Sequence, residues 1–212
     1  MRNPFAEKER ARLIEAILPD VPFDGWSRRA LRHAAQRAGI AEDEALALFP
    51  RGAPDLITAF SHWADRQMLQ RLDREIAEPM RLSRRVAAAL RLRFLVMLPW
   101  REGVRRGLSV LAMPQHAALG LRLLYDTVDA IWYGVGDRST DFSYYTKRAS
   151  LAAIEAAATL YWLDDRSPDF ADTGAFIDRR LDDLHRLGGL RGRLGAALDS
   201  MPNPLRVLRP VR

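Results

Sequence analysis

Residues 27–49 have the sequence SRRALRHAAQRAGIAEDEALALF, in which two segments of helical period are separated by a glycine. Ser27 is a favourable N-cap for a helix over 28–38, and Gly39 is a typical helix end. A short helix follows over 41–49. A helix, a tight Ala-Gly-Ile turn and a short second helix form the layout of a helix-turn-helix unit.

The segments around this unit are helical as well. A first helix is predicted over 6–18, and a long helix over 53–76 follows the unit. The turn at 21–26 is expected to place two aromatic side chains, Phe23 and Trp26, in a small core. Ala and Leu dominate the apolar residues, and no segment shows sustained alternation of Val, Ile and Thr. The 212 residues therefore predict an all-α protein of nine or ten helices.

The composition is that of a folded, basic protein. Hydrophobic residues make up 48% of the chain and charged residues 28%, and the formal net charge is +6. A basic balance favours an acidic partner such as nucleic acid, anionic lipid or an acidic protein surface. Cysteine is absent, which excludes disulfides and cysteine metal sites. No stretch approaches 18 uncharged apolar residues, so no membrane-spanning helix is expected.

The order of helices resembles the N-terminal domain of TetR-type regulators, which read DNA with the short third helix. Here that helix begins with Glu42, Asp43 and Glu44, where a recognition helix needs hydrogen-bond donors. These carboxylates would repel phosphates. We therefore expect residues 1–52 to have lost DNA reading and the protein to bind no nucleic acid. A TetR-like transcriptional regulator with a lipid effector is the alternative function.

The middle segment, residues 80–113, is dense in arginine. Val86, Leu90, Phe94 and Met97 form a helical stripe between the charges. The simpler interpretation is a solvated basic face. The functional alternative is attraction to anionic lipid or to an acidic partner. The arginines concerned are Arg81, Arg84, Arg85, Arg91, Arg93, Arg101, Arg105 and Arg106.

Two later helices, predicted over 119–133 and 141–163, are candidates for the walls of a binding site. One stripe of the second helix consists mostly of alanine. Such a stripe either packs closely on a neighbour or, opposite the leucines of the first helix, leaves room for an apolar cavity. The residues that we expect to bind lipid there are Met97, Leu121, Leu124, Val128, Ile131, Trp132, Ala149, Ala152, Ala153, Ala156 and Leu160.

Five sequence motifs resemble one protein family. They are PFDGWS at 22–27, LFPRG at 48–52, VDAIWY at 128–133, GDRSTDFSYYTKR at 136–148 and SPDFADT at 167–173. The similarity spans about residues 9–187, and the 136–148 motif is the most specific. On these residues the chain resembles the lipid-binding accessory proteins of ubiquinone (coenzyme Q) biosynthesis, the Coq nine type.

The resemblance implies a TetR-like fold that binds isoprenoid, quinone or phospholipid molecules in a helical domain over 53–186. It also implies a role in assisting the di-iron demethoxyubiquinone hydroxylase, and pairing into a homodimer. The partner-binding residues that it implies are Asp141, Tyr144, Tyr145 and Arg148. Because Glu155 shares a helical stripe with Arg148, we expect Glu155 to face solvent or the partner. If Glu155 faced the cavity instead, lipid binding there would be less favoured, because an unpaired buried carboxylate is costly.

The family also has a C-terminal amphipathic helix that meets the membrane, and residues 186–201 correspond to it. Residues 187–212 are predicted to form this helix and a basic tail. Apolar residues at helical spacing flanked by arginines are typical of a segment at a membrane surface. The alternative is a last helix that packs on its own domain. The candidate membrane-binding residues are Leu187, Leu190, Arg191, Arg193, Leu194, Leu198 and Met201.

The residues of a catalytic site are not apparent. The four histidines are scattered, and there is no Glu-x-x-His pair of a di-iron enzyme. Asp164, Asp165 and Asp169 weakly resemble magnesium-binding aspartates of prenyl synthases, but a helix end followed by a capped helix start is the simpler interpretation. We therefore expect a non-enzymatic protein without metal or cofactor. We place it in the cytoplasm, peripherally on the inner face of a bacterial membrane, since no secretory signal is apparent. A structural scaffold with a vestigial cavity is a third interpretation.

Overall fold

The computed structural model describes residues 4–75, 80–137 and 142–199, with side chains except at 4, 5, 142–144, 185 and 187–199. The described residues contain ten α-helices and no strand, so the predicted all-α class is confirmed. The helices are α1 (Pro4–Ile17), α2 (Val21–Asp24), α3 (Arg28–Ala38), α4 (Glu42–Leu48), α5 (Ala53–Glu75), α6 (Leu82–Met97), α7 (Arg101–Leu111), α8 (Ala117–Gly134), α9 (Phe142–Asp164) and α10 (Ala171–Asp199).

The predicted helix-turn-helix layout is present in α3 and α4. The Ser27 hydroxyl accepts a hydrogen bond from the Ala30 N–H at 3.1 Å, as an N-cap does. Gly39 ends α3 in the left-handed conformation, with φ +64°. At the start of α4, Glu42 pairs with Arg32 of α3 at 2.6 Å. The acidic start of α4 therefore contacts an arginine of its own domain.

The turn at 21–26 differs from the prediction in one side chain. Trp26 is buried, and its indole N–H donates to the Gly103 carbonyl at 2.9 Å, which joins the N-terminal helices to α7. Phe23 is 83% exposed, so its predicted place in the core is wrong. The single helical turn of α2 buries Val21, and a residue two positions further on points away from that face.

The larger part of the fold is built around α5, which packs against α6 and α8, while α8 packs against α9. The predicted stripe of α6, Val86, Leu90, Phe94 and Met97, is fully buried in this core. At the end of α8, a β-carbon on Gly134 would meet a terminal methyl group of Leu69 of α5. Glycine at this position leaves room for the Leu69 side chain between α5 and α8.

The arginines of 80–113 do not all form the solvated face that we predicted. Arg101 donates to the carbonyl of Asp165 at 2.6 Å, and Arg105 donates to the carbonyl of Leu163 at 2.8 Å. The last carbonyls of a helix have no partner within the helix, so cationic side chains stabilise them. These arginines therefore join α7 to the end of α9. Arg93 is also not part of a solvated face, because its side chain is buried.

The SPDFADT motif forms the junction between α9 and α10. Asp165 accepts hydrogen bonds from the backbone N–H groups of Ser167 and Thr173, both at 2.8 Å, and from both hydroxyls. Although burial opposes it, these hydrogen bonds lower the pKa of Asp165 to about 2. The aspartates here thus form a helix end and a capped helix start, the simpler of the two interpretations from the sequence.

Candidate functional site

A cavity of about 430 Å³ lies among α5, α6, α7, α8 and α9. This volume is within the range of small-molecule binding sites. Most of the lining is apolar, and Gly103, Gly107 and Gly120 add bare backbone to it. The apolar side chains of the lining are Trp26, Ile57, Phe60, Met97, Val104, Leu108, Leu111, Ala112, Leu121, Leu123, Leu124, Ala156 and Leu160.

Five of the residues that we predicted to bind lipid line this cavity: Met97, Leu121, Leu124, Ala156 and Leu160. Leu121 is 70% exposed and Leu160 is 64% exposed, so these two residues mark the opening to solvent. Six predicted residues are not in the lining. They are Val128, Ile131, Trp132, Ala149, Ala152 and Ala153.

The path of α8 explains the residues on that helix that do not reach the cavity. The part of α8 up to Thr127 lines the cavity. Beyond it, Val128 and Ile131 are completely buried in the hydrophobic core. Trp132 is half-buried, and the Lys147 ammonium lies over its ring at 5.6 Å from the centroid.

On α9 the alanine stripe faces mainly outward. The inward face consists of Leu151, Ile154, Ala158 and Trp162, which are all buried. Ala149 and Ala153 are exposed and Ala152 is half-buried. The prediction that the alanine stripe as a whole forms the cavity wall is therefore wrong, because the large apolar residues of α9 take the core positions. Ala156, at the edge between the two faces, lines the cavity.

Most of the polar residues of the lining belong to a buried ion-pair cluster, which also includes Asp65 from outside the lining. Arg93 of α6 donates from Nε to Asp65 of α5 at 2.8 Å and from Nη1 to Glu155 of α9 at 2.9 Å. Thr127 of α8 donates to Asp65 at 3.1 Å and accepts from Arg93 at 3.3 Å. Ser61 accepts at 3.4 Å from Nη2 of Arg93, the nitrogen that also donates to Thr127. The cluster thus joins the four helices α5, α6, α8 and α9.

The expectation that Glu155 faces solvent or a partner is wrong. Its side chain is buried and lines the cavity, because Arg93 reaches it from α6. From the sequence, Arg93 was expected on the basic surface and Glu155 in solvent or at the partner, so neither half of this pair was predicted. The available signal was the position of Arg93 directly before Phe94 of the apolar stripe, and of Glu155 within an alanine run.

The cluster shifts the pKa values of its members. Burial raises the pKa of Glu155 to about 7, with Asp65 adding repulsion, while Arg93 and the Thr159 hydroxyl oppose the rise. Burial lowers the pKa of the Arg93 guanidinium, but Asp65 and Glu155 outweigh this effect and raise it overall. With two acids and one base, the cluster is neutral when Glu155 holds a proton.

We expect Glu155→Gln to remove a pH dependence of stability. The pKa of Glu155 is raised on folding, so the folded chain binds the proton more tightly than the unfolded chain. The stabilisation is therefore complete below about pH 4 and is lost as the pH rises to about 7. Relative to the variant, the wild type should lose up to about 3 kcal/mol between pH 4 and pH 8, measured by urea unfolding.

The half-exposed Glu102 of α7 supplies the matched control. Glu102→Gln should keep the loss of stability that Glu155 causes as the pH rises towards 7. Parallel wild-type and Glu155→Gln profiles would contradict the assignment of this titration to Glu155.

The predicted partner-binding residues lie at the start of α9. Tyr145 is 70% exposed. Arg148 is buried and pairs with Asp129 of α8 at 2.7 Å, so its guanidinium holds α9 against α8. Asp141 is outside the described residues, and the side chain of Tyr144 is also outside them.

The predicted membrane-binding residues fall in the last part of the chain. The helix that we expected to begin at 186 is continuous with α10, which begins at Ala171. Leu187, Leu190, Arg191, Arg193, Leu194 and Leu198 lie on α10, with side chains outside the described part, and Met201 is beyond it. None of the helices in the described ranges is long and apolar enough to span a bilayer.

Metal-ligand geometry is also not found in the described part of the chain. No three His, Asp or Glu side chains there converge in a way that could hold a metal ion. Asp65 and Glu155, the two acids of the buried cluster, bind Arg93 instead.

Comparison with known proteins identifies similar chains. The COQ9 family model matches residues 117–188. The chain is 33% identical to human "Ubiquinone biosynthesis protein COQ9, mitochondrial", over 86% of this chain and 59% of that protein. It is 32% identical to the Drosophila melanogaster protein of the same name, over 84% of this chain and 56% of that protein. The chain thus spans less than two thirds of these curated relatives.

A protein of known structure has a similar fold. A TetR transcriptional regulator from Nitrosomonas europaea aligns with a TM-score of 0.65 over 82% of this chain and 97% of that one, at 19% identity. This likeness confirms the predicted TetR-like fold.

One prediction is contradicted by the relatives. We expected a cytoplasmic protein on the inner face of a bacterial membrane, but the relatives from human, rat, fruit fly and Dictyostelium discoideum are all named as mitochondrial proteins. The expected location is therefore wrong on this comparison. The resemblance that the sequence motifs indicated is confirmed: the chain is similar to COQ9 proteins over most of its length.

Proposed function

We propose that this chain is a non-enzymatic lipid-binding protein of ubiquinone biosynthesis, which holds an isoprenoid or quinone lipid in the cavity among α5–α9. The observation that carries the proposal is the apolar lining, which opens to solvent beside Leu121 and Leu160. The curated relatives are named for ubiquinone biosynthesis, and their names contain no enzyme activity. Because these relatives are named as mitochondrial proteins, we propose a mitochondrial membrane as the place of action.

The mechanism that we propose is presentation of a water-insoluble substrate. Each methylene group that leaves water for the cavity contributes about 0.8 kcal/mol, so an isoprenoid chain is held mainly by its hydrocarbon. The protein then shields the chain from water while the demethoxyubiquinone hydroxylase takes up the ring. Tyr145 lies within the 136–148 motif at the start of α9, and its exposure supports a partner surface there.

Membrane contact is the other half of the proposed mechanism. Leucines at 187, 190, 194 and 198, with Arg191 and Arg193 beside them, form the pattern of an interfacial helix. The α10 backbone is helical through all of these positions. We propose that this end of α10 meets anionic lipid, which the basic net charge of +6 favours.

The experiment that tests the proposal is mass spectrometry of an organic extract of the purified protein. We expect quinones, other isoprenoids or phospholipids to be present well above their level in an extract of an unrelated protein purified identically. An extract without such lipids, together with no binding of added prenyl lipids, would overturn lipid carriage. The chain would then be better described as a scaffold whose cavity is vestigial.

A TetR-like regulator with a lipid effector is the second candidate, and the fold of the Nitrosomonas europaea neighbour favours it. The acidic start of α4, where Glu42 contacts Arg32, argues against contact with phosphates. A regulator would bind duplex DNA with an affinity that falls steeply with salt, whereas a presenting protein would bind liposomes.

A further inference from the structure

A second cavity lies between the first part of α6 and α10. Its volume is about 460 Å³, and it shares no lining residue with the cavity among α5–α9. Ala87 and Leu181 are buried and give it an apolar floor, while Met80 of its lining is 42% exposed. We call this cavity the α6–α10 groove. Its other lining residues are Ser83, Arg84, Ala88, Arg91, Asp178 and Asp182.

The charges of the groove are only partly paired. Arg91 of α6 forms an ion pair with Asp178 of α10. Arg84 and Asp182 also line the groove, but neither side chain has a hydrogen-bond or ion-pair partner in the part of the chain that the structure describes. At about 1.5 Å per residue, Arg84 lies roughly 10 Å along α6 from Arg91, and Asp182 lies roughly 6 Å along α10 from Asp178. The groove therefore has an unpaired cation on one wall and an unpaired anion on the other.

These two charges select the chemistry of a ligand. An anion alone would be attracted by Arg84 but repelled by the two aspartates, and a cation alone would be repelled by the two arginines. A zwitterion with a phosphate and an ammonium group can satisfy both walls. The half-buried Ser83 can donate a further hydrogen bond to the phosphate. A primary ammonium has three N–H donors for the Asp182 carboxylate, whereas the quaternary ammonium of choline has none.

The groove adjoins the part of the chain that we propose to meet the membrane. The α10 backbone continues as a helix from Asp182 through the leucines that begin at 187. On the other wall, Met80 and Leu82 at the start of α6 are 42% and 40% exposed, with Arg81 between them. Exposed apolar side chains beside arginines are typical of a surface that contacts a bilayer. A phospholipid head group is therefore the zwitterion that this surface would meet.

We propose that the α6–α10 groove binds the head group of a phospholipid with a primary amine, as in phosphatidylethanolamine. The phosphate binds Arg84 and Ser83, the ammonium binds Asp182, and the acyl chains return to the bilayer beside Met80. The proposal rests on the membrane contact proposed above and adds a head-group preference, which a basic net charge alone does not produce. It does not depend on what the cavity among α5–α9 carries.

The test is flotation of the full chain with vesicles of three compositions: phosphatidylcholine alone, and its mixtures with phosphatidylethanolamine or with phosphatidylglycerol. The choline and ethanolamine lipids are both zwitterionic, so their vesicles attract a basic protein equally. The wild type should bind the ethanolamine vesicles about three- to tenfold more tightly than the choline vesicles, which corresponds to one additional hydrogen bond.

Asp182→Asn provides the decisive comparison, because it removes the charge that holds the ammonium and keeps the size of the side chain. This variant should bind ethanolamine and choline vesicles within about twofold of each other. Asp183→Asn is the matched control, since Asp183 pairs with Arg180 outside the groove lining, and it should keep the wild-type preference. A preference that survives in Asp182→Asn would come from the packing of the lipids in the vesicle, and it would overturn the proposal.

Arg84→Gln tests the phosphate end of the site. It should weaken binding to ethanolamine vesicles by about threefold or more, because a charge-assisted contact to the phosphate is lost. Arg179→Gln removes an exposed arginine of α10 that is not in the groove lining, and it should have a smaller effect. Equal effects of the two substitutions would indicate general attraction of a basic surface and would overturn the assignment of Arg84.

The outcomes separate this proposal from the proposed function. If the wild type binds phosphatidylglycerol vesicles but does not prefer ethanolamine to choline vesicles, the groove assignment is overturned and the membrane contact stands. If the wild type binds none of the three vesicles, the proposed membrane contact fails together with the groove. Lipid carriage in the cavity among α5–α9 is tested separately, by the lipid content of the organic extract. Unchanged urea unfolding of these surface variants would exclude misfolding as the cause of lost binding.

Discussion

Arg93→Met is expected to lower the free energy of unfolding by about 3–5 kcal/mol at pH 7, the usual cost of removing one partner from a buried ion pair. Arg93 is the cation between Asp65 and Glu155, and all three side chains are buried. Methionine fills much of the same volume but leaves two carboxylates in an apolar interior. Urea unfolding followed by circular dichroism measures the loss.

The pH dependence of this loss identifies its cause. Lowering the pH from 7 to 5 supplies protons that neutralise the uncompensated carboxylates, so the deficit of Arg93→Met relative to the wild type should shrink. Combining it with Glu155→Gln, which removes one of the two acids, should restore part of the stability at pH 7. A deficit that is the same at both pH values would indicate lost packing instead of lost charge compensation.

Arg91→Met is the matched control on the same helix. Arg91 pairs with Asp178 at the surface and donates to the Gly174 carbonyl. Exposed pairs contribute about 1 kcal/mol or less, so this substitution should have a small effect. Equal losses for Arg91→Met and Arg93→Met would contradict the central role of the buried cluster.

Ala156→Trp is expected to reduce the lipid bound to the purified protein at least tenfold. Ala156 lines the cavity yet is exposed, so an indole can enter the cavity without displacing a buried side chain. Excluding only two methylene groups of a ligand costs about 1.6 kcal/mol, which is already more than tenfold in affinity. Lipid per protein, measured by mass spectrometry of the extract, and the binding of added farnesol report the change.

Ala153→Trp controls for the bulk of the indole. Ala153 is exposed on the same helix, three residues earlier, and is not part of the lining. It should bind as much lipid as the wild type, and both variants should unfold at similar urea concentrations. If the two substitutions reduce bound lipid equally, or neither does, the cavity among α5–α9 is not where lipid binds.

Local sequence patterns were sufficient for the ends of several helices, although α2 was predicted as a turn and α10 as a helix that begins at 186. Ser27 and Gly39 mark the two ends of α3 because a cap depends only on residues within a turn of it. The family motifs added the TetR-like class, which the structural neighbour confirms. The motif at 167–173 is also local, since Asp165 binds groups at most eight residues away.

The faces of the helices were harder to predict. On α9 the periodicity separates an alanine stripe from a mixed stripe, but it does not indicate which of them faces the core. Trp162 and Leu151 need more burial than the alanines, and packing against α8 and α10 satisfies that need. The alanines therefore remain outside, and only Ala156 of the predicted α9 alanines reaches the cavity.

The sequence by itself determined an all-helical chain, several helix caps and apolar stripes, and the resemblance to one family. The tertiary structure decided which charges are interior, because Arg93 meets Asp65 across 28 residues and Glu155 across 62. A short stretch of sequence around a charged residue predicts that its side chain is exposed to solvent. Burial becomes possible only when folding brings partners from other helices that offset its cost. For the same reason the polar end of the cavity exists only once α5, α6, α8 and α9 have packed together.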